Sequence, residues 1–419
     1  MEAKISVRNL FKLFGPKPDR AYDLLKQGYG KDRLFEETGI TVAVNDVSFD
    51  IEKGECFVVM GLSGSGKSTL VRLINRLITP SRGEVLVDGE DITRMSDKDL
   101  IGMRRRYMGM VFQHFALLPH QSVIENAAFG LKIRGMPPAE RREKAAQALA
   151  QVGLEGWADS MTSELSGGMQ QRVGLARALA ADTEVLLMDE PFSALDPLIR
   201  RDMQDELLEL QRKVHKTIIF ITHDLNEALI LGDRIAIMKE GRFDQVGTAR
   251  EIVSDPATDY VAAFVQDVDR SRVYTAGTLA TPSSTLRTGE DDAASAAAKI
   301  ADEGVTAIHV LDAANRPVGL VRASDLEAVT GNLAAATLTD FPQCTANTPL
   351  AEIFGECARG LPIAVLDRDG RLAGVLDPLE VFRELAADEG ERMTARDLMS
   401  RAPGETGSKA ASSKEHVAA

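Results

Sequence analysis

Cysteine is scarce. Cys56, Cys344 and Cys357 are the whole supply in 419 residues, and no two of them stand at a Cys-x-x-Cys spacing. That argues against a disulfide framework or a structural zinc site and fits a reducing cytoplasm. Long apolar runs are missing too. None approaches the ~18 residues of a membrane span, and the opening MEAKISVRNLFKLFG lacks the apolar core of a signal peptide. A chain that is soluble by itself, and able to dock on a membrane partner, is the expectation. Positive charge is not in excess. Lysine and arginine number 49 against 63 acidic residues, a net charge of −14, which argues against binding nucleic acid through bulk charge. Aromatics are only 5%, while 44% hydrophobic and 27% charged residues are ordinary for a globular protein. The length suggests two or three domains.

Strands alternate with helices over the first 270 residues. Residues 5–14 and 41–60 read as strands, joined by a charged helical insert, PDRAYDLLKQGYGKDRLFEETG. ECFVVM (55–60), EVLLMDEP (184–191) and TIIFITH (217–223) are short apolar runs of the buried-strand kind. Helices are expected from about Gly66 to Leu77 and over 197–213, with a helical region from about 137 to 180. This alternation predicts an α/β domain whose parallel sheet is covered on both faces.

GLSGSGKST (61–69) fits the pattern GxxxxGK[ST] between an apolar strand and a helix. Glycines let backbone wrap a phosphate chain, and the helix N-terminus favours its charge. Gly61, Ser63, Gly64, Ser65, Gly66, Lys67, Ser68 and Thr69 are the candidate phosphate cradle. Lys67 would reach the β- and γ-phosphates and Ser68 would face Mg²⁺. The strand ending in Asp189-Glu190 supplies carboxylates, Asp189 for the metal's outer shell and Glu190 for the attacking water. Gln113, after the run ending in MVF, is a candidate for the metal or the water, and His223 ends another strand. Each of these two alone is more often an ordinary surface or structural residue. His114, His120 and His215 have no metal-ligand spacing and read as surface residues.

ELSGGMQQR (164–172) adds a second glycine-rich loop opening a helix. The P-loop, the glutamine, LSGGMQQR, LLMDEP, SALD and the strand-end histidine, in that order, resemble the nucleotide-binding subunits of ABC transporters over about residues 5–265. The resemblance implies a P-loop NTPase (ABC ATPase) domain, 1–270, with a helical subdomain over about 115–180, using ATP and Mg²⁺. It implies a head-to-tail dimer in which Ser166, Gly167, Gly168 and Gln170 contact nucleotide held by a second copy. Asp196 would link the two sites, and Phe14 would stack on adenine, with Phe11 competing for that role. Transmembrane permease subunits would be separate chains, with a substrate-binding protein acting through them and this chain on the cytoplasmic face of the membrane. The apolar stretch 114–131 would form part of the groove for the permease.

The long insert, RLINRLITPSRGEVLVDGEDI and SALDPLIRRDMQDEL are similar to the ATPases of glycine betaine/proline importers. An amino-acid importer ATPase and a non-transport ABC protein are the alternatives. The latter normally has two cassettes or a coiled-coil insertion, and neither is seen here.

After about residue 270 the composition changes, and 271–293 reads as a connecting segment. AIHVLDAANRPVGLVRASDLEAV (307–329) then matches PIAVLDRDGRLAGVLDPLEVFRE (362–384) at an offset of about 55 residues. Each unit reads helix, strand, turn, strand, helix. The pair resembles tandem cystathionine-β-synthase-type (CBS) modules, implying an α+β regulatory domain over 276–388. Arg322 and Pro378 fall where a ribose-binding hydroxyl is usual, which argues against a bound nucleotide there. Residues 389–419 read as a disordered tail.

Overall fold

A computed structural model describes residues 3–113, 116–193, 195–266, 268–326 and 333–386. The expected tail and His114 lie outside the described residues. His120 and His215 are exposed. The chain divides into two units, Met1–Asp269 and Arg270–Ala419.

The first unit is built on a six-stranded sheet. Its order is Arg242–Gly247, Arg234–Lys239, Cys56–Met60, Thr217–Thr222, Val185–Asp189 and Met108–Val111. Five strands are parallel and the edge strand Arg242–Gly247 is antiparallel. Cys56–Met60, Val185–Asp189 and Thr217–Thr222 are buried at every position, as strands covered on both faces must be. A second, antiparallel sheet orders Thr41–Ile51, Ile5–Phe14, Arg82–Val87 and Glu90–Asp91. One core cluster joins the two sheets through residues such as Ile5, Val44, Phe57, Leu70, Ile219 and Met238. The expected strand 41–60 is two strands, because Gly54 takes a positive φ of 82° in the turn that separates them. The insert forms two helices, Pro18–Lys26 and Lys31–Thr38, seated by Ala21 and Leu34 against Leu13, Ile40 and Val42. The helical region holds Pro138–Gln151 and Gly167–Ala180, interrupted between them by two short 3₁₀ turns.

In the second unit the two repeats share the same hydrogen bonding. Val310 pairs with Gly319 in the first hairpin and Val365 with Gly374 in the second. Asp312 Oδ1 accepts from the amides of Ala314 and Arg316, and Asp367 Oδ1 from those of Asp369 and Arg371. Both glycines sit where a side chain would collide. A Cβ at Gly319 would lie 2.1 Å from Thr337 Cγ2, and one at Gly374 would lie 3.0 Å from Ala280 Cβ. Ala307 and Leu320 of one repeat share a core with Phe341 and Ala364 of the other.

Residues 271–293 are not the connecting segment that their composition suggests. Tyr274 and Ala276 are buried with Leu350, Ile353, Ile363 and Leu376, and Thr281 bridges Val375. Leu286–Arg287 then adds a parallel strand to Ala307–Leu311. The segment laces the second repeat to the first. Its polar, small-residue sequence hid this because its anchors are single residues spaced too irregularly to show a period.

Candidate functional site

Strand Cys56–Met60 ends at Gly61, whose φ of 152° and crowded surroundings admit no side chain. A Cβ there would meet Met238 O at 2.1 Å. Gly66, with φ 109°, is equally confined, at 2.2 Å from Ala43 O. Between them the loop turns into helix Lys67–Ile74 and presents its amides at the helix N-terminus. Lys67 is almost fully buried. Its Nζ donates to Gly61 O (2.8 Å) and Leu62 O (3.0 Å) and lies 3.9 Å from Glu190 Oε1. Burial pulls the Lys67 pKa below its ordinary value, and the carboxylates of Glu190 and Asp189 partly offset that. Such a cation gains from an anion delivered beside it.

Asp189 is 2% exposed, a position at which an unpaired carboxylate would be costly. Ser68 Oγ donates to its Oδ1 at 2.8 Å, and Arg72 lies 3.6 Å from its Oδ2. Arg72 was not foreseen. Nothing in the motif marks it, but it stands one turn of helix after Ser68 and so shares its face.

Glu190 follows with a left-handed φ of 45°. Such backbone costs on the order of 1–3 kcal/mol and persists where the surroundings impose it. Here its amide donates to Ile221 O at 3.0 Å. The turn aims the carboxylate at the loop. Gln113 Nε2 donates to Glu190 Oε2 at 3.2 Å, and His223 Nδ1 lies 3.1 Å from the same oxygen. Three strand ends thus bring Gln113, Glu190 and His223 together at the carboxyl edge of the sheet, beside Lys67. A cleft of about 540 Å³ opens over them. Ser63, Gly64, Gly66, Lys67, Ser68, Thr69, Gln113 and Glu190 are among the residues that line it.

A triphosphate with its divalent ion fits this donor set. The loop is a cradle that Cβ atoms would fill, and Ser65 Oγ is buried within it with no hydrogen-bond partner. Ser68, Asp189 and Gln113 offer the hard oxygen atoms that Mg²⁺ prefers.

Other candidates sit elsewhere. Ser166 caps helix Gly167–Ala180, its side chain accepting from Met169 N at 3.3 Å. Gly167 faces open space, whereas a Cβ at Gly168 would lie 2.6 Å from Ile199 Cγ2. Asp196 caps helix Pro197–Val214 through the amides of Leu198 and Ile199, so the two loops are locked through Ile199. None of these residues lines the cleft over Lys67. Gln170 is engaged through its amide nitrogen. Its Nε2 donates to Thr162 O (3.0 Å) and Leu165 O (3.4 Å), bracing its own loop. Phe14 is also outside the cleft wall, with Lys12 Nζ 4.9 Å from its ring centroid. Phe11 is buried edge-on against Tyr22. Lys31, Asp32 and Phe35 of the insert do line the cleft.

A buried network behind His223 also went unread. Thr222 Oγ1 donates to Glu227 Oε2 at 2.5 Å and accepts from Asp224 N at 3.0 Å. Arg200 Nη2 donates to Leu195 O at 3.1 Å, and Arg200 lies 3.5 Å from Asp224. Burial holds the Glu227 carboxyl above its usual range. Arg200 therefore ties the turn containing Asp196 to the strand end carrying His223.

The sequence profile of the ABC transporter family matches residues 44–193, a span that takes in the P-loop, Gln113, Ser166 and Glu190. The glycine betaine/proline betaine transport system ATP-binding protein ProV of Escherichia coli is 48% identical over 392 residues, 92% of this chain and 98% of ProV. The chain belongs to the ABC transporter ATP-binding family. Within it, the glycine betaine/carnitine transport ATP-binding protein GbuA of Listeria monocytogenes is 47% identical over 92% of this chain and 98% of its own length. The trimethylamine N-oxide transport ATP-binding protein TmoW of Ruegeria pomeroyi is 52% identical over 276 residues, 66% of this chain and 81% of its own. Among solved ABC cassettes, a dimer in a post-hydrolysis state bound to ADP and Pi covers 59% of this chain and 99% of its own. It has 33% identity and a TM-score of 0.50. The family's P-loop NTPase fold is the fold of the first unit. No helix among the described residues is long and apolar enough to cross a membrane.

Proposed function

We propose that this chain is the ATP-hydrolysing subunit of an importer for glycine betaine, proline betaine or a related quaternary-amine solute. It works as two copies beneath two transmembrane subunits, at the cytoplasmic face, with a substrate-binding protein delivering the solute. The observation that carries the chemistry is Glu190, held at one oxygen by Gln113 and His223 and 3.9 Å from Lys67. The solute class rests on similarity to betaine transport proteins that extends over 92% of the chain.

Mg²⁺, held through Ser68 with Asp189 and Gln113 around it, would neutralise charge on the β- and γ-phosphates. The chain's own residues do the rest. The loop amides and Lys67 bind the triphosphate. Glu190 orients water and accepts its proton, while Gln113 and His223 fix the carboxylate. Ser166, Gly167 and Gly168 of one copy complete the site of the other, and Asp196, held in register by Ile199, connects the two.

ATPase activity of the complex in vesicles, measured against a solute panel, tests the assignment. Glycine betaine or proline betaine should stimulate turnover. Stimulation by an amino acid alone would move the chain to the alternative importer class. Trimethylamine N-oxide belongs in the panel because TmoW is the more identical relative over its shorter span.

The stretch after Gln113 is the proposed permease groove. Asn126 is fully buried and holds it, its Oδ1 accepting from Leu118 N at 2.7 Å and its Nδ2 donating to Leu118 O at 3.1 Å. Leu118 itself is half-buried. Leu118→Glu should lower transport several-fold more than basal ATPase. Equal loss of both would instead mark a folding defect.

The second unit is assigned a regulatory role as a CBS-like pair. Arg322 forms a two-pronged pair with Asp325 (2.7 and 2.9 Å), which occupies the carboxylate a ribose would need. Residues 271–419 carry 14 basic and 22 acidic side chains. Exposed charges lose reach as salt rises, with a Debye length of about 10 Å at 0.1 M. Ending the chain at Asp269 should leave ATPase in vesicles and flatten its dependence on internal salt. A truncated complex with the full salt response would remove the regulatory assignment.

A further inference from the structure

We infer that Phe35, on the insert helix Lys31–Thr38, is the platform on which the base of the bound nucleotide lies, in place of Phe14. This deepens the ATP-binding reading and rests on it.

Lys67 and Ser68 line the cleft over the P-loop, and Phe35 lines the same cleft together with Ile40 and Val42. A nucleoside triphosphate anchored by its phosphates at Lys67 would lay its base against this apolar part of the lining. The insert helix is held there by its neighbours. Leu34 is fully buried against Leu13, Ala21, Ile40 and Val42. Gly39, with φ 68°, ends the helix and turns the chain into Ile40 and the strand Thr41–Ile51. The residue after Leu34 projects about 100° around the helix from it, and Phe35 is 55% exposed. An exposed phenyl ring facing a cleft presents a π-face that a base covers without needing hydrogen bonds. Phe14 is 41% exposed and pairs with Thr41, a residue of the lining, but its ring faces the Lys12 ammonium and is not itself part of the lining.

A stacked base contributes to nucleotide affinity and leaves the triphosphate site untouched, so the two are separable. The test is equilibrium binding of MgATP and of inorganic tripolyphosphate to the full chain. Phe35→Ala should weaken MgATP about tenfold or more and leave tripolyphosphate unchanged. Phe14→Ala should stay within about twofold of wild type for both ligands. Where Phe35→Ala fails to fold, Phe35→Trp decides, made in a Trp157→Phe background that removes the one native tryptophan. Its emission should be quenched by MgATP and not by tripolyphosphate. Three results would each overturn the assignment. They are wild-type MgATP affinity in Phe35→Ala, loss of affinity in Phe14→Ala, and unquenched emission from Phe35→Trp under saturating MgATP. A wild-type chain binding neither ligand would be a different failure, that of the phosphate site itself.

Discussion

Replacing Glu190 with glutamine should leave MgATP bound and reduce turnover by about two to four orders of magnitude, the usual contribution of a positioned general base. The amide keeps the size of the carboxylate and can still bond Gln113, so little structure is lost. What disappears is the proton acceptor beside the phosphates. The buried Lys67 keeps its place on Gly61 O and Leu62 O, so affinity for nucleotide should hold. ATP-bound dimer should accumulate, visible as a doubled mass by light scattering with MgATP. Turnover near the wild-type rate in Glu190→Gln would take Glu190 out of the base role. Lys67→Ala, by contrast, should lose the nucleotide itself.

Ser166→Arg should abolish turnover while each chain still binds one nucleotide. Ser166 does not line its own copy's cleft, so a single chain gives no reason for catalysis to depend on it. Loss of the cap on helix Gly167–Ala180 costs on the order of 1 kcal/mol, which lowers stability without unfolding the domain. Only a second copy explains a large catalytic effect, because the new side chain would fill the open space before Gly167, where the two-copy account puts the partner's γ-phosphate. A mixed dimer makes the point sharper. One Ser166→Arg chain paired with one Lys67→Ala chain concentrates both lesions in a single site and leaves the other whole. Such a dimer should bind one ATP. Full turnover in Ser166→Arg would end the two-copy account.

The grouping of Lys67, Ser68, Asp189 and Glu190 was legible because each part is local in sequence. Lys67 and Ser68 come from nine consecutive residues, and Asp189 and Glu190 from one strand end. Chemistry requires those spacings, so the pattern carries the geometry. Gln113 and His223 were readable only as members of the ordered set, and three strand ends gather them on one oxygen of Glu190. The proposed base platform was not legible. Phe35 reaches the cleft through the fold of an insert whose role depends on where Leu34 anchors it, and an aromatic placed before the first glycine, Phe14, was the more conspicuous choice. Gln170 has a local role that the motif did not show, its Nε2 donating to Thr162 O and Leu165 O. In the second unit the repeat was visible because two hairpins share turn chemistry at Asp312 and Asp367. The lacing by Tyr274, Thr281 and Leu286 was not, since three anchors spread over thirteen positions leave no period.

The most direct measurement of the central claim is uptake of labelled glycine betaine into vesicles containing this chain, its membrane subunits and the binding protein, with ATP supplied on the side that holds this chain. Wild-type vesicles should accumulate the solute in step with ATP hydrolysed, and vesicles carrying Glu190→Gln should do neither while still binding ATP. Accumulation that continues undiminished with Glu190→Gln, or ATP hydrolysis that proceeds with no solute moved in the wild type, would contradict the account.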